Sequence, residues 1–167
     1  MLKAYHLDMS WLKAIEETIS EYAVAVAAAR CDTVARLNIL LKAPFGSLFP
    51  PANISLEGSV ESWLTEMPAI AVEEQLREAL SRSRARDREV GGATLGPHRT
   101  DVLVRHTVYD RPASQCSTGE QKMLLVAIVL AHARAQAERS AQTPLILLDE
   151  AMAHLDASHR RYLVDSL

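Results

Sequence analysis

Ser117-Thr118-Gly119-Glu120-Gln121-Lys122 opens an apolar, helix-forming stretch, and Leu145-Ile146-Leu147-Leu148-Asp149-Glu150 follows as a strand-like run ending in two carboxylates. Ala153-His154-Leu155-Asp156 comes directly after it. The spacing predicts a helix over 120–138, a strand over 145–148 and a further helix from Ala157 to Leu167. A continuous Leu/Ile run between helices calls for a strand covered on both faces, as in a parallel α/β sheet. Such sheets bind ligands beyond the C-terminal ends of their strands, which is where Asp149 and Glu150 fall.

The chemistry of these residues follows from their types. Ser117 as N-cap with Glu120 three positions on forms a capping box, satisfying two amide hydrogens reciprocally. The same helix start suits an anion: a serine hydroxyl, the Gly119 amide and the positive end of the helix face one way. Glycine there lets a phosphate approach the backbone, and Gln121 and Lys122 add a polar rim. Asp149 is placed to hold a hydrated magnesium ion, a hard cation that takes oxygen ligands. Glu150 is placed to orient or deprotonate a water. The plainer alternative is that Asp149-Glu150 caps the next turn. No G-x-x-x-x-G-K-[S/T] phosphate loop occurs in the 167 residues.

Composition bounds the rest. With 49% hydrophobic and 23% charged residues over 167 positions the chain is globular and large enough for one ordinary core. A formal charge of -3 excludes a globally basic nucleic-acid binder but leaves room for a local patch. Cys31 and Cys116 lack metal-ligand spacing and read as reduced thiols. The first residues contain no signal-peptide core, and the longest apolar run, Met123 to Ala131, falls far short of a span of about 20 residues. The expectation is a cytoplasmic protein without a membrane segment.

Upstream, Ser10 to Leu41 reads as one long helix with Trp11, Ile15, Ile19, Tyr22 and Val26, and likewise Val34, Leu37 and Leu41, at three- and four-residue spacing. Its alanine-rich Ala23–Ala29 stretch permits close approach by a partner helix, and Pro44, Gly46, Pro50 and Pro51 end it. A short strand is expected at Ile54 to Leu56, a short helix over 60–67, and a second long helix over 69–89 with Ile70, Leu76 and Leu80 inward, broken by Gly91-Gly92. Leu103 to Tyr109 reads as a strand followed by a turn at Asp110-Arg111-Pro112. Residues 1–90 are read as a partial helical arm or second lobe, and 91–167 as a separate α/β part. Arg77, Arg82, Arg84, Arg86 and Arg88 form either a phosphate-facing patch or a solvated helix surface. Gly96-Pro97-His98-Arg99-Thr100-Asp101 reads as a turn before a strand whose His98 and Arg99 could meet nucleotide or DNA.

Together, Leu95 to Asp101, Ser114 to Lys122, Leu147 to Glu150 and Ala153 to Asp156 resemble the C-terminal part of RecF-type DNA replication and repair ATPases, relatives of the ABC and SMC heads. Organisation is similar over nearly the whole chain, and the Gly-Pro-His-Arg element sets this class apart from transporters. The resemblance implies an α/β, partial ABC/SMC-like P-loop NTPase fold with a helical lobe and an incomplete core sheet. It implies ATP and Mg2+ as cofactors, an ATP-dependent homodimer, DNA as partner (single- and double-stranded, at gaps or junctions) and recombination mediator proteins. Ser117, Gly119 and Gln121 would then form the signature loop against the γ-phosphate held by the opposite subunit. Asp149 would serve the metal, Glu150 the water, and Asp156 communication across the dimer. His98, Arg99, Arg82 and Arg86 are the candidate nucleotide or DNA contacts. Two departures stand out: Asp149-Glu150 replaces the family's frequent Asp-Asp, and Glu120 replaces a frequent Gln. Without a phosphate loop the isolated chain is expected not to hydrolyse ATP. The competing readings are a non-enzymatic partner-binding module and one subunit of a split ATPase.

Overall fold

The computed structural model describes residues 9–42, 49–140, 144–147, 157–158 and 160–161. Its elements run α1 (Met9–Lys42), β1 (Ala52–Glu57), α2 (Ser59–Glu66), α3 (Ala69–Val90), β2 (Asp101–His106), β3 (Arg111–Pro112) and α4 (Thr118–Arg139), with 3-10 turns at Pro97–Arg99 and Ala113–Gln115. The three strands form one sheet in the order β1-β2-β3. The fold is mixed α/β with an open sheet and a helical part, as expected. Two compact units make up the chain, one of Met1–Asp32 and Leu56–Asp101 and the other of Thr33–Ser55 and Val102–Leu167.

The first unit is helical. Ala23, Val24 and Ala27 of α1, Val60 of α2, and Val72, Leu76 and Leu80 of α3 form its buried cluster, with Trp63, Leu64, Met67 and Leu95 packed against it. The helix limits match the sequence, but the buried face of the first half of α1 does not. Trp11 and Tyr22 are 58% and 65% exposed, and Ile19 and Val26 are exposed too. The inward positions are instead Glu16, Ser20, Ala23, Val24 and Ala27. Alanine and serine let a neighbouring helix approach closely. Glu16 is tolerated there because Arg84 Nε donates to its Oε1 at 2.5 Å and Arg84 Nη2 to its Oε2 at 2.6 Å. The Ser20 hydroxyl is satisfied by Glu16 O at 2.7 Å. A buried carboxylate is acceptable only when paired and hydrogen-bonded in this way. On α3, Leu76 and Leu80 point inward as expected, whereas Ile70 is 81% exposed and Val72 takes the inward place. Gly91 then stops the helix at φ 78°, its N–H and that of Gly92 both donating to Asp87 O.

The second unit packs Leu37 and Leu41 of α1 with Phe49, Ala52 and Ile54, Cys116, and Leu124, Val126, Ala127, Leu130 and Ala131 of α4. β1 is an edge strand, and Asn38 covers part of that edge. Its side-chain Nδ2 donates to Ile54 O and its Oδ1 accepts from Ile54 N, both at 2.8 Å. The amide thus supplies one rung of a ladder to an otherwise open edge. β2 and β3 pair antiparallel, Arg105 opposite Pro112 and His106 opposite Arg111. The strand expected to reach Tyr109 therefore ends three residues sooner, and Arg111-Pro112 is paired rather than turning. The turn falls at 107–110, where Asp110 takes φ 48°, a conformation Asp tolerates better than most residues.

The expected strand at 145–148 is not formed in its described part. Residues 144–147 carry no ladder, and Leu145 and Leu147 are 86% and 85% exposed while Ile146 packs on the core cluster. A strand requires partner backbone, and among the described residues none reaches this segment. Of the last expected helix, Ala157, Ser158, Arg160 and Arg161 are described and helical.

The α3 register gives a direct test. Leu76→Ala should lower stability by about 2–5 kcal/mol because it opens a cavity in a closed cluster. Ile70→Ala should stay within about 0.5 kcal/mol. Urea unfolding of the two variants checks the assignment, and equal losses would refute it.

Candidate functional site

The start of α4 is built around one carboxylate. Helices leave their first N–H groups without intrahelical partners. Here Ser117 Oγ accepts from Glu120 N at 3.3 Å, while Ser117 N and the Ser117 hydroxyl both donate to Glu120 Oε2 at 2.8 Å. The capping box expected from the sequence is complete. Gln121 N–H donates to Ser117 O at 2.9 Å, and its side-chain Nε2 to Cys116 O at 3.0 Å, fixing the backbone just before the cap. The N–H groups of Thr118 and Gly119 have no partner among the described residues. A Cβ at Gly119 would meet nothing within 4 Å among the described residues. Exposed N–H donors at the positive end of a 22-residue helix form a place where an oxyanion is favoured.

Arg111 is not marked by any local pattern in the sequence. Its Nη2 donates to both oxygens of Glu120, at 2.7 and 2.8 Å, and its guanidinium carbon lies 4.9 Å from the centroid of the Tyr109 ring. Hydrogen bonds from the Ser117 amide and hydroxyl, then the Arg111 charge, hold the Glu120 carboxyl below its usual value. Cys116 is buried beside this region, its thiol donating to Pro112 O at 3.6 Å.

The Gly96–Asp101 element lies in the other unit and is anchored there. Arg30 Nη1 donates to Pro97 O, and Thr100 Oγ1 donates to Glu61 Oε2 at 2.8 Å. Glu61 is buried, and Arg30 stands 3.7 Å from its other oxygen. A Cβ at Gly58 would fall 2.3 Å from Glu61 Oε2 and 2.4 Å from Thr100 Oγ1, so a side chain there would have to displace this hydrogen-bonded pair. Nothing in the local sequence marks Glu61, because its partners lie on other elements. His98 Nε2 sits 2.9 Å from Ala93 O, and Arg99 donates to the same oxygen at 3.4 Å. The two candidate contacts are thus brought together on the preceding loop, with both residues exposed.

The arginines of α3 are not a uniform patch. Arg77 pairs with Glu74 and Arg82 with Glu78, both at 2.5 Å, and Arg84 is taken by Glu16. Arg86 is exposed, with no ion pair among the described residues. The acidic candidates Asp149, Glu150 and Asp156 lie outside the described residues. Among the described residues no cluster of three or more His, Cys, Asp or Glu side chains could hold a metal, and no helix is long and apolar enough to cross a membrane.

A family model described as "SbcC/RAD50-like, Walker B motif" matches residues 100–167, the region that holds β2, β3 and α4. The DNA replication and repair protein RecF of Mesorhizobium japonicum is 48% identical over 161 residues, covering 96% of this chain and 42% of that protein. Over nearly its whole length the chain is similar to part of RecF proteins. RecF of Caulobacter vibrioides is 42% identical over 162 residues, again 96% of this chain and 42% of the relative. A solved structure described as the recombination mediator protein RecF-ATP in the RecFOR pathway superposes with a TM-score of 0.81 at 21% identity, over 99% of this chain and 44% of that one. That likeness concerns the fold. The chain spans less than half the length of the curated RecF proteins it matches.

The cap should be visible in stability. Ser117→Ala is expected to cost about 1 kcal/mol, the usual loss on removing an N-cap hydroxyl. Glu120 titrates lower folded than unfolded, so its stabilising effect is complete above the usual glutamate value of 4.5 and is lost as pH falls through the lower folded value. Melting temperatures of the wild type and Glu120→Gln, followed from neutral pH downward, should converge only below that value. Parallel profiles would rule out the charged cap.

Proposed function

We propose that these 167 residues are the C-terminal part of a RecF-like ATPase acting in DNA replication and recombinational repair. Residues 1–90 would form a partial helical arm or second lobe and 91–167 the C-terminal part of the ATPase core. The observation that carries this reading is the open N-terminus of α4. At the positive end of a long helix Gly119 offers an amide with no partner among the described residues, beside the Ser117 hydroxyl, which is donated to Glu120 Oε2. That is the donor set an oxyanion needs, and in a family whose solved member is described with ATP it fits the γ-phosphate of a nucleotide held by a second protomer.

In this proposal Ser117 donates its hydroxyl and Gly119 its amide to that phosphate, while Gln121, tied to Cys116 O, keeps the loop in register. Asp149 supplies an oxygen ligand for Mg2+, Glu150 orients the attacking water, and Asp156 meets the partner protomer. Bound ATP and Mg2+ supply the scissile phosphoanhydride and the charge that neutralises it. No phosphate-loop motif occurs in these residues, so hydrolysis would need a phosphate loop supplied from outside them. His98, Arg99, Arg82 and Arg86 are proposed contacts to nucleotide or DNA. Of these, Arg86 is best suited to duplex phosphates because no carboxylate among the described residues already holds it. DNA at gaps or junctions, a second copy of the protein and recombination mediator proteins are the proposed partners, in the cytoplasm. A non-enzymatic module and a split ATPase subunit are the competing proposals.

The isolated chain should show no magnesium-dependent ATP turnover. The complete protein should turn ATP over, with Glu150→Gln lowering kcat by at least about 100-fold, in the range expected for general-base loss, while nucleotide-dependent dimerisation persists. Phosphate release and sedimentation of the same samples check both halves. Unchanged turnover in Glu150→Gln would reject the role given to that residue.

A further inference from the structure

A carboxylate at the third position of α4 conflicts with the use proposed for that helix end. Glu120 sits one residue after Gly119, and an ionised side chain there opposes any anion arriving at the same N–H groups. We propose that Arg111 is the positioning residue that makes this acidic position compatible with phosphate capture, by neutralising Glu120 and leaving Ser117 free to exchange partners. The inference rests on the reading of Ser117 and Gly119 as contacts to a nucleotide across a dimer.

Four observations converge on it. Arg111 Nη2 touches both Glu120 oxygens rather than one, at 2.7 and 2.8 Å, so its charge is centred on the whole carboxylate. The arginine is itself constrained: its backbone is paired with His106 in the β2/β3 ladder, and its guanidinium lies over Tyr109 at 4.9 Å. The pair is only partly exposed, 36% for the Arg111 side chain and 29% for Glu120, which reduces screening by solvent. Finally, the Ser117 hydroxyl is already engaged with Glu120 Oε2. Before it can donate to a phosphate, that hydrogen bond must be given up.

With Arg111 in place the exchange is local. The Ser117 hydroxyl hydrogen turns from Glu120 Oε2 to a phosphate oxygen, and no proton changes owner. Oε2 keeps the Ser117 amide and Arg111, and the cap survives because Ser117 Oγ still accepts from Glu120 N. The N-terminus then offers its helix dipole to the phosphate with no net side-chain charge beside it. Without Arg111 the carboxylate keeps its full charge and holds the serine more tightly. A glutamine at 120 would carry no such charge and would not need the arginine.

The test is MgATP-dependent dimerisation of the complete protein, followed by sedimentation in a Glu150→Gln background that prevents turnover. Arg111→Gln should weaken dimerisation by about tenfold, a change of about 1.4 kcal/mol. Arg111→Gln combined with Glu120→Gln should restore it to within about twofold of the Glu120→Gln variant alone, as expected when the arginine acts only through that carboxylate. Equal dimerisation of wild type and Arg111→Gln would overturn the inference. A defect that Glu120→Gln does not rescue would also overturn it, because Arg111 would then act through the fold of β3. Absence of nucleotide-dependent dimers in the unsubstituted protein would instead reject the underlying phosphate reading, and the two failures are distinguishable.

Discussion

A helix begins with N–H groups that nothing inside it can satisfy, and what α4 does follows from how those groups find partners. Glu120 reaches back to Ser117, Ser117 reaches forward to Glu120, and the chain entering the helix has little freedom left. Gln121 binds the carbonyl of Cys116 and the Cys116 thiol packs into the core, so the loop before the helix is fixed from both sides. At this helix end the N–H groups of Thr118 and Gly119 are left without partners among the described residues. The same few bonds therefore stabilise the helix and select which of its amides remain available.

Much of this is legible in the sequence, and the reason is range. Capping box, glycine stop and proline breaks are encoded within a few residues, so Ser117 with Glu120, Gly91 after α3, and the break after α1 can be read directly. The failures involve distant partners. The inward face of α1 is misread in its first half, where the large apolar residues Trp11, Ile19, Tyr22 and Val26 dominate the periodicity, while Leu37 and Leu41 are buried as their spacing suggests. The face that packs is made largely of small residues plus Glu16, whose acceptance in the interior depends on Arg84, 68 residues away. Arg111 reads as part of a turn, since its meaning depends on Asp110 adopting a positive φ and bringing β3 back along β2. Glu61 is silent for the same reason. The strand expected at 145–148 rests on apolar character alone, which cannot say whether a neighbouring strand is there to pair with it.

The arginines of α3 carry a related lesson. Counted along the sequence they suggest a basic surface, but Arg77, Arg82 and Arg84 each hold a carboxylate, two of them on the same helix. Pairing at three- and four-residue spacing is a property of the helix surface and leaves little field to steer a polyanion. His98 and Arg99 converge on one carbonyl, so what they offer a ligand depends on releasing Ala93 O.

The central claim is that the outward donors of α4 meet a nucleotide carried by another copy of the protein. A structure of the complete protein with magnesium and a non-hydrolysable ATP analogue tests it most directly. The account predicts the Ser117 hydroxyl and Gly119 amide of one protomer within hydrogen-bonding distance of the γ-phosphate bound by the other, with Arg111 still seated on Glu120. A nucleotide bound with those donors facing solvent would contradict it.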